Sequence, residues 1–126
     1  MKSNYLKIHP WKIIEEGFDP KRVKSSESIF SLGNGAMGQR ANFEETYSGE
    51  TFQGSYVGGV YYPDKTKVCW WKNCYPEYFA KVLNAPNWIG INIHTNGNVL
   101  DLNQYKSVYN FRRELDMQTG IYVRSF

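Results

Sequence analysis

Alternating apolar and polar positions predict β-strands along much of the chain. The alternation is clearest from Trp88 to His94, and the Asn-Gly pair within Thr95–Asn98 follows directly. Because Asn-Gly is a preferred centre for a two-residue hairpin turn, a hairpin into Val99–Leu102 is predicted. A second strand pair is predicted for Val108–Met117 and Ile121–Phe126, across a short glycine-containing turn.

Glycines interrupt the other strand candidates. Ser28–Leu32 predicts a short strand that ends at a glycine-rich turn, and Pro63–Pro76 predicts a long aromatic loop. Thr51–Tyr62 predicts a longer strand in which Gly58 and Gly59 mark a bulge or a close backbone approach. With five or more strands and no segment of helical periodicity, the pattern predicts an all-β, antiparallel sandwich or barrel.

The composition agrees with a globular, strand-rich chain. Hydrophobic residues make up 41% and charged residues 21% of the 126 residues, which excludes a disordered tail and allows one domain or a piece of one. Aromatic residues make up 17%, and together with eleven glycines they suit pleated surfaces and turns better than helices.

Charge and hydropathy argue against nucleic-acid and membrane partners. The net charge of +3 comes from scattered basic residues, without the concentrated stripe that nucleic-acid binders carry, so no nucleic-acid partner is expected. A β-barrel that stacks single strands on its aromatic residues is a less favoured alternative. No run approaches the roughly 20 apolar residues of a membrane span, and Met1–Tyr5 lacks the apolar core of a signal peptide. We therefore expect a cytoplasmic protein without a membrane partner.

The sequence contains few candidates for metal binding or redox chemistry. Cys69 and Cys74 have neither zinc-ligand nor redox-pair spacing, and no second pair would complete a site, so free thiols and no metal are expected. His9 and His94 each lack a second histidine at ligand spacing. No cofactor is expected.

One glycine motif resembles a nucleotide-binding loop. Gly33–Gly38 spells G-x-G-x-x-G, but Gln39–Glu45 has too few apolar residues at helical spacing to form the helix that would meet a pyrophosphate. We interpret the motif as a tight strand-to-strand turn. The residues assigned a structural role there are Gly33, Asn34, Gly35, Gly38 and Arg40.

No acid–base couple is evident. Glu44 and Glu45 point to opposite faces if their segment is extended, so they are not expected to form a facing carboxylate pair. No serine has an identifiable base. We therefore predict no catalytic residue in this chain.

The segment Tyr61–Pro76, which contains the aromatic loop, holds the best candidates for recognition. Sugar rings stack on aromatic faces, and their hydroxyls bond carboxylates or amides, while tryptophan and tyrosine are also enriched at protein interfaces. Both uses remain open. The candidate residues are Tyr61, Tyr62, Asp64, Trp70, Trp71 and Tyr75.

An ordered series of segments resembles glycoside hydrolase family 65, a family of disaccharide phosphorylases, and its maltose-specific members in particular. The series covers nearly the whole chain, which makes it more specific than any single motif. Its main segments are Trp11–Phe18, Glu27–Glu45, Gly54–Val57, Leu83–Trp88 and Phe111–Met117.

The resemblance implies a fold and a role. Residues 1–126 would form the N-terminal part of the family's N-terminal β-sandwich, a galactose-mutarotase-like supersandwich that is incomplete here, with the catalytic helical barrel absent. The barrel would carry the general acid and the phosphate pocket for inverting cleavage of an α-glucosidic bond. The implied partners are that barrel, further copies of the chain, and maltose or a related disaccharide. A stand-alone carbohydrate-binding module is the alternative.

Overall fold

A computed structural model describes residues 5–65 and 76–126 of the protein. Within these ranges the chain forms short antiparallel strands, one α-helix and two 3-10 helices, which confirms the all-β, antiparallel prediction. The strands are β1 (Leu6–Lys7), β2 (Lys12–Glu16), β3 (Leu32–Gly33), β4 (Met37–Gln39), β5 (Ser55–Val57), β6 (Tyr61–Lys65), β7 (Tyr78–Val82), β8 (His94–Thr95), β9 (Asn98–Val99), β10 (Arg112–Asp116) and β11 (Ile121–Ser125).

The largest sheet has the strand order β1-β2-β10-β11. Strand β10 lies between β2 and β11, so Arg113 is opposite Glu15 on one side and Arg124 on the other. The predicted pairing of Val108–Met117 with Ile121–Phe126 is confirmed as the β10–β11 hairpin, whose turn contains Gly120 at φ +66°.

Two buried clusters connect the single α-helix, α1 (Val23–Ile29), to the large sheet. In each cluster, residues from the helical region pack against residues of the segment 41–43 and of the chain from 102 to 115. The first cluster consists of Val23, Phe43, Leu102 and Phe111, and the second consists of Phe30, Ala41 and Leu115.

Helix α1 corrects the prediction of a helix-free chain and of a strand at Ser28–Leu32. The side chain of Asp19 accepts a hydrogen bond from the Lys21 amide and caps a 3-10 helix, Pro20–Arg22, that leads directly into α1. The helix places a stripe at i, i+3, i+4 and i+7 against the core. Two members of that stripe are polar, which hid the helical period from a search for apolar residues: Val23, Ser26, Glu27 and Phe30.

The predicted strand Thr51–Tyr62 is two strands. A turn at Gly58 and Gly59 separates β5 from β6, and Gly59 has φ +80°. The expected close backbone approach is present, because the Gly58 amide donates a hydrogen bond of 2.6 Å to the Ala36 carbonyl. A Cβ added at Gly58 would lie 3.2 Å from that same carbonyl oxygen. Strand β6 also includes Pro63, so the chain is still extended where the aromatic loop was expected to begin.

The predicted Asn-Gly hairpin is present, but its strands are short. Asn96 and Gly97 both have positive φ, 52° and 81°, which is the conformation of a type I′ turn between β8 and β9. Residues 88–93 form no strand, contrary to the prediction. Of the alternating isoleucines, Ile89 and Ile93 are half-buried and Ile91 is exposed, so the alternation there marks no fully buried face.

In the described ranges, none of the helices combines the length and the apolar character needed to cross a membrane.

Candidate functional site

The glycine motif forms a turn between β3 and β4. The side chain of Asn34 accepts hydrogen bonds from the amides of Ala36 at 3.0 Å and Met37 at 2.8 Å. Gly35 has φ +85°, in the left-handed region that suits glycine. An antiparallel strand follows the turn, so no helix N-terminus is present there to bind a phosphate.

The side chain of Arg40, which follows β4, forms hydrogen bonds with two other segments of the chain. Its Nε donates a hydrogen bond of 2.6 Å to the Phe52 carbonyl, and its Nη2 donates one of 2.7 Å to the Ser28 hydroxyl. These contacts join α1 to the chain that precedes β5, so the guanidinium is engaged within the fold.

The predicted recognition residues fall into two groups. Tyr61, Tyr62 and Asp64 lie on β6, which pairs with β7 in a two-stranded ribbon. Trp70, Trp71 and Tyr75 lie outside the described residues, as do Cys69 and Cys74.

The two faces of the ribbon differ in chemistry. Strand alternation places Tyr61 on one face, opposite Val82, and Tyr62 on the other face, opposite Lys81. On the Tyr62 face, the carboxylate of Asp64 lies 3.7 Å from the ammonium of Lys81. The predicted candidates on β6 therefore do not form a single site.

A groove of about 420 Å³ lies between the glycine turn and the Tyr61 face of the ribbon. We call it the apolar groove, because all of its lining residues are uncharged and most are aliphatic or glycine. Four glycines contribute to its lining: Gly35, Gly38, Gly58 and Gly59. Its principal side chains are Met37, Tyr56, Val57, Val60, Tyr61 and Val82. The structure thus brings Tyr61 beside the glycine turn, although the sequence pattern gave no sign that these two features are neighbours.

A row of buried charges that the sequence pattern did not predict crosses the large sheet. Nη1 of Arg113 lies 3.7 Å from Oε2 of Glu15, with both side chains almost fully buried. Nη1 of Arg124 donates a hydrogen bond of 2.7 Å to Glu45. Both guanidinium groups lie over the ring of Phe43: the Cζ atom of Arg113 is 5.0 Å and that of Arg124 is 4.5 Å from the ring centroid.

Glu44 and Glu45 both contact Arg124, which corrects the expectation that they point apart. Nη2 of Arg124 lies 2.7 Å from Glu44 and also binds Glu45, because the chain bends at these residues instead of running extended. Burial lowers the pKa of Arg124, but the hydrogen bond and charge of Glu45 and the charge of Glu44 outweigh burial and raise it overall. The arrangement is an ion cluster and not an acid–base pair. An arginine at an inward position between Phe111 and Leu115 was the available sequence signal.

Two other buried carboxylates hold backbone segments. Glu27 accepts hydrogen bonds from the Phe52 amide at 2.6 Å and from the Thr51 hydroxyl. Asp101 accepts them from the amides of Ser48 and Asn103. Burial raises the pKa of Asp101, but these hydrogen bonds and others outweigh it and hold the pKa below its ordinary value. Within the two described ranges, no group of three His, Cys, Asp or Glu residues is placed to hold a metal ion.

The chain is similar to known proteins over almost its full length. Residues 13–126 match the model of the glycosyl hydrolase family 65 N-terminal domain. Maltose phosphorylase from Bacillus subtilis is 50% identical over 125 residues, which cover 99% of this chain and 16% of that protein. Kojibiose phosphorylase from Halothermothrix orenii is 37% identical over 114 residues, covering 90% of this chain and 13% of that protein.

A solved structure shares the fold. A proposed kojibiose phosphorylase from the human microbiome superposes with a TM-score of 0.82 at 36% identity, over 98% of this chain and 16% of that chain. The present chain therefore spans 13–16% of the length of these relatives.

Proposed function

The chain belongs to glycosyl hydrolase family 65 through its N-terminal domain, and we propose that it is the non-catalytic N-terminal β-sandwich portion of an inverting, maltose-type disaccharide phosphorylase. The observation that carries this proposal is the 50% identity to a maltose phosphorylase of which the match covers only 16%. In such an enzyme the chemistry would lie in a helical barrel outside the match, and phosphate would take the place of the attacking water.

Four carboxylates of the described residues are unsuited to acid catalysis, which supports a non-catalytic role. An inverting phosphorylase needs a general acid, which is a carboxyl group whose pKa is raised so that it can protonate the leaving oxygen. Here, hydrogen bonds from lysines lower the pKa of Glu16, Glu50 and Glu114. Asp101, with its lowered pKa, shifts in the same direction. These groups are ionised near neutral pH and have no proton to give.

The proposed partner is the catalytic barrel of the same enzyme, and the proposed setting is a cytoplasmic homo-oligomer. The apolar character of the exposed surface supports an assembly role. Exposed large apolar side chains recur along β6, β7 and β11, including Tyr61, Phe79, Val82, Ile121 and Val123. Among them, Tyr61 and Val82 are paired on one face of the ribbon, and contiguous apolar surfaces are typical of proteins that associate.

A carbohydrate-binding module is the second candidate, and the Tyr62 face of the ribbon favours it. Tyr62 and Phe79 flank the Asp64–Lys81 ion pair, and all four side chains are accessible. Aromatic rings next to charged hydrogen-bonding groups suit a sugar ring. Calorimetric titration of the chain with maltose tests this candidate, since a module would bind maltose without any other domain.

Activity in a chimera tests the main proposal. This chain would replace the matching segment of the B. subtilis maltose phosphorylase, and release of glucose and glucose 1-phosphate from maltose and phosphate would be measured. We expect activity from the chimera and none from the chain alone. Turnover by the purified chain, or a folded chimera without activity, would contradict the proposal.

A further inference from the structure

The chain contains two Asn-Gly pairs, and each lies at a turn. Asn34–Gly35 belongs to the glycine motif between β3 and β4, and Asn96–Gly97 is the hairpin turn between β8 and β9. An asparagine that precedes glycine is chemically labile, because glycine has no side chain to keep its amide nitrogen away from the asparagine side chain. The two pairs share this local sequence but differ in structure.

The side chain of Asn34 is held by its own turn. Its Oδ1 accepts hydrogen bonds from the amides of Ala36 at 3.0 Å and Met37 at 2.8 Å. The turn is also fixed from outside, since the Gly58 amide donates a hydrogen bond to the Ala36 carbonyl and β4 is the middle strand of a three-stranded sheet. Rotation of the Asn34 side chain toward the Gly35 nitrogen therefore breaks two hydrogen bonds at once.

Asn96 lacks these restraints. Its side chain is exposed and accepts or donates no hydrogen bond among the residues that the structure describes. Strands β8 and β9 have two residues each and form a sheet of their own, extended by one hydrogen bond of 2.9 Å from the Leu100 amide to the Ile93 carbonyl. A lone hairpin is at best marginally stable in water, so this one should open more often than the turn at Gly35.

The surroundings of Gly97 are also open. A Cβ added at Gly97 would meet nothing within 4 Å, so no atom of the described ranges crowds this part of the turn. Because the Gly97 nitrogen reaches the Asn96 side chain only when the backbone leaves its folded conformation, the rate of reaction depends on how often the hairpin opens.

We propose that Asn96 is a site of spontaneous deamidation and that the turn at Gly35 protects Asn34 from the same reaction. In the open hairpin, the Gly97 amide nitrogen gives its proton to hydroxide and bonds to Cγ of Asn96. The bond between Cγ and Nδ2 breaks, and Nδ2 takes a proton from water and leaves as ammonia. Water then adds to either carbonyl of the resulting five-membered imide, which yields aspartate or isoaspartate.

Both products alter the hairpin. Each replaces a neutral amide with a carboxylate, and isoaspartate also directs the main chain through the side-chain methylene group, which lengthens the turn. A type I′ turn fixes the backbone angles of both central residues, so isoaspartate is incompatible with it. The modification therefore accumulates with the age of the protein and separates β8 from β9.

Peptide mapping of the aged chain tests this proposal. The purified chain is incubated in mildly alkaline buffer and, in parallel, in guanidinium chloride, and tryptic digests taken over time are analysed by liquid chromatography and tandem mass spectrometry. Trypsin places Asn34 in the peptide Ser25–Arg40 and Asn96 in the peptide Val82–Lys106. Asn34 thus serves as a matched control within the same sample.

In buffer we expect Asn96 to deamidate about tenfold or more faster than Asn34, because two hydrogen bonds must break before Asn34 can react. In guanidinium chloride both turns are unfolded, and the two rates should be similar. Equal rates in buffer, faster loss of Asn34, or an intact Asn96 over the period in which the unfolded chain reacts would each overturn the proposal. An equal preference for Asn96 in buffer and in guanidinium chloride would also overturn it, since neighbouring sequence and not the fold would then set the rates.

Discussion

At the scale of single residues, Arg113 is a cation that is almost fully buried in the core. Only 1% of its surface is exposed, and its guanidinium lies 5.0 Å from the Phe43 ring centroid and 5.2 Å from that of Phe111. Nε and Nη1 have no hydrogen-bond partner among the described protein atoms. Its charge is therefore stabilised by the carboxylate of Glu15 and by the two ring faces.

Removing one member of this pair should therefore be worse than removing both. Glu15→Gln leaves the Arg113 cation buried without its carboxylate and should reduce the free energy of unfolding by about 3–5 kcal/mol. The double variant Glu15→Leu/Arg113→Met removes both charges and should lose clearly less. Urea denaturation of the two variants provides the comparison. Equal losses would mean that the pairing carries little of the stability of this region.

Glu114 should make stability depend on pH in the acid range. Hydrogen bonds from Lys12 and Arg112 lower the pKa of Glu114 from 4.5 to about 2 in the folded chain. Because the folded pKa lies below the unfolded one, ionised Glu114 stabilises the fold above about pH 4.5, and this contribution is lost as the pH falls toward about 2. Denaturation midpoints measured across this range should fall less steeply for Glu114→Gln than for the unmodified chain. Parallel curves for the two proteins would refute the assignment.

At the scale of elements, two glycines of one motif should respond differently to alanine. Gly35 has φ +85°, where a Cβ is strained, so Gly35→Ala should cost about 1–2 kcal/mol. Gly38 lies in β4, and an added Cβ would make only ordinary contacts at 3.9–4.0 Å, so Gly38→Ala should stay within about 0.5 kcal/mol. Thermal melts of the two variants test this contrast. A larger loss of stability for Gly38→Ala than for Gly35→Ala would show that the positive φ of Gly35 is not what makes this turn sensitive to substitution.

Elements set by local chemistry could be predicted from the sequence, whereas those set by burial could not. The turn at Gly120 and the Asn96–Gly97 turn have local signals, and both hairpins are present. Helix α1 is anchored by the hydrogen bonds of buried Glu27, and the polarity of Ser26 and Glu27 conceals the helical stripe. Burial at these positions depends on distant partners such as Thr51, which a local pattern does not contain.

The candidate site was predicted only in part for the same reason. Aromatic enrichment identified Tyr61 and Tyr62 as candidates, but their separation onto opposite faces required the register of β6 against β7. The proximity of Tyr61 to Gly35 joins segments that form different sheets, which no single-segment pattern contains. The role of Trp70, Trp71 and Tyr75 stays a prediction.

At the scale of the whole molecule, the open edge of the large sheet should drive self-association. Strand β11 is the last strand of that sheet, and its Ile121 and Val123 are each 56% exposed. Exposed apolar edges pair readily with other chains. Light scattering should show association of the isolated chain that grows with concentration and weakens in Val123→Lys. Gln118→Lys, which adds the same charge in the neighbouring turn, is the control, and an equal effect of both changes would point to net charge as the cause.

The row of buried charges also has a consequence for how the large sheet assembles. Arg113 is opposite Glu15 and Arg124 in the native register, while Arg112 and Glu114 face outward. A slip of one residue in β10 that places Glu114 opposite Glu15 would turn Arg113 outward and put two carboxylates together in the core. Misalignment in that direction is therefore penalised electrostatically, in addition to any loss of packing. The buried charges thus help to select the native register of the strands.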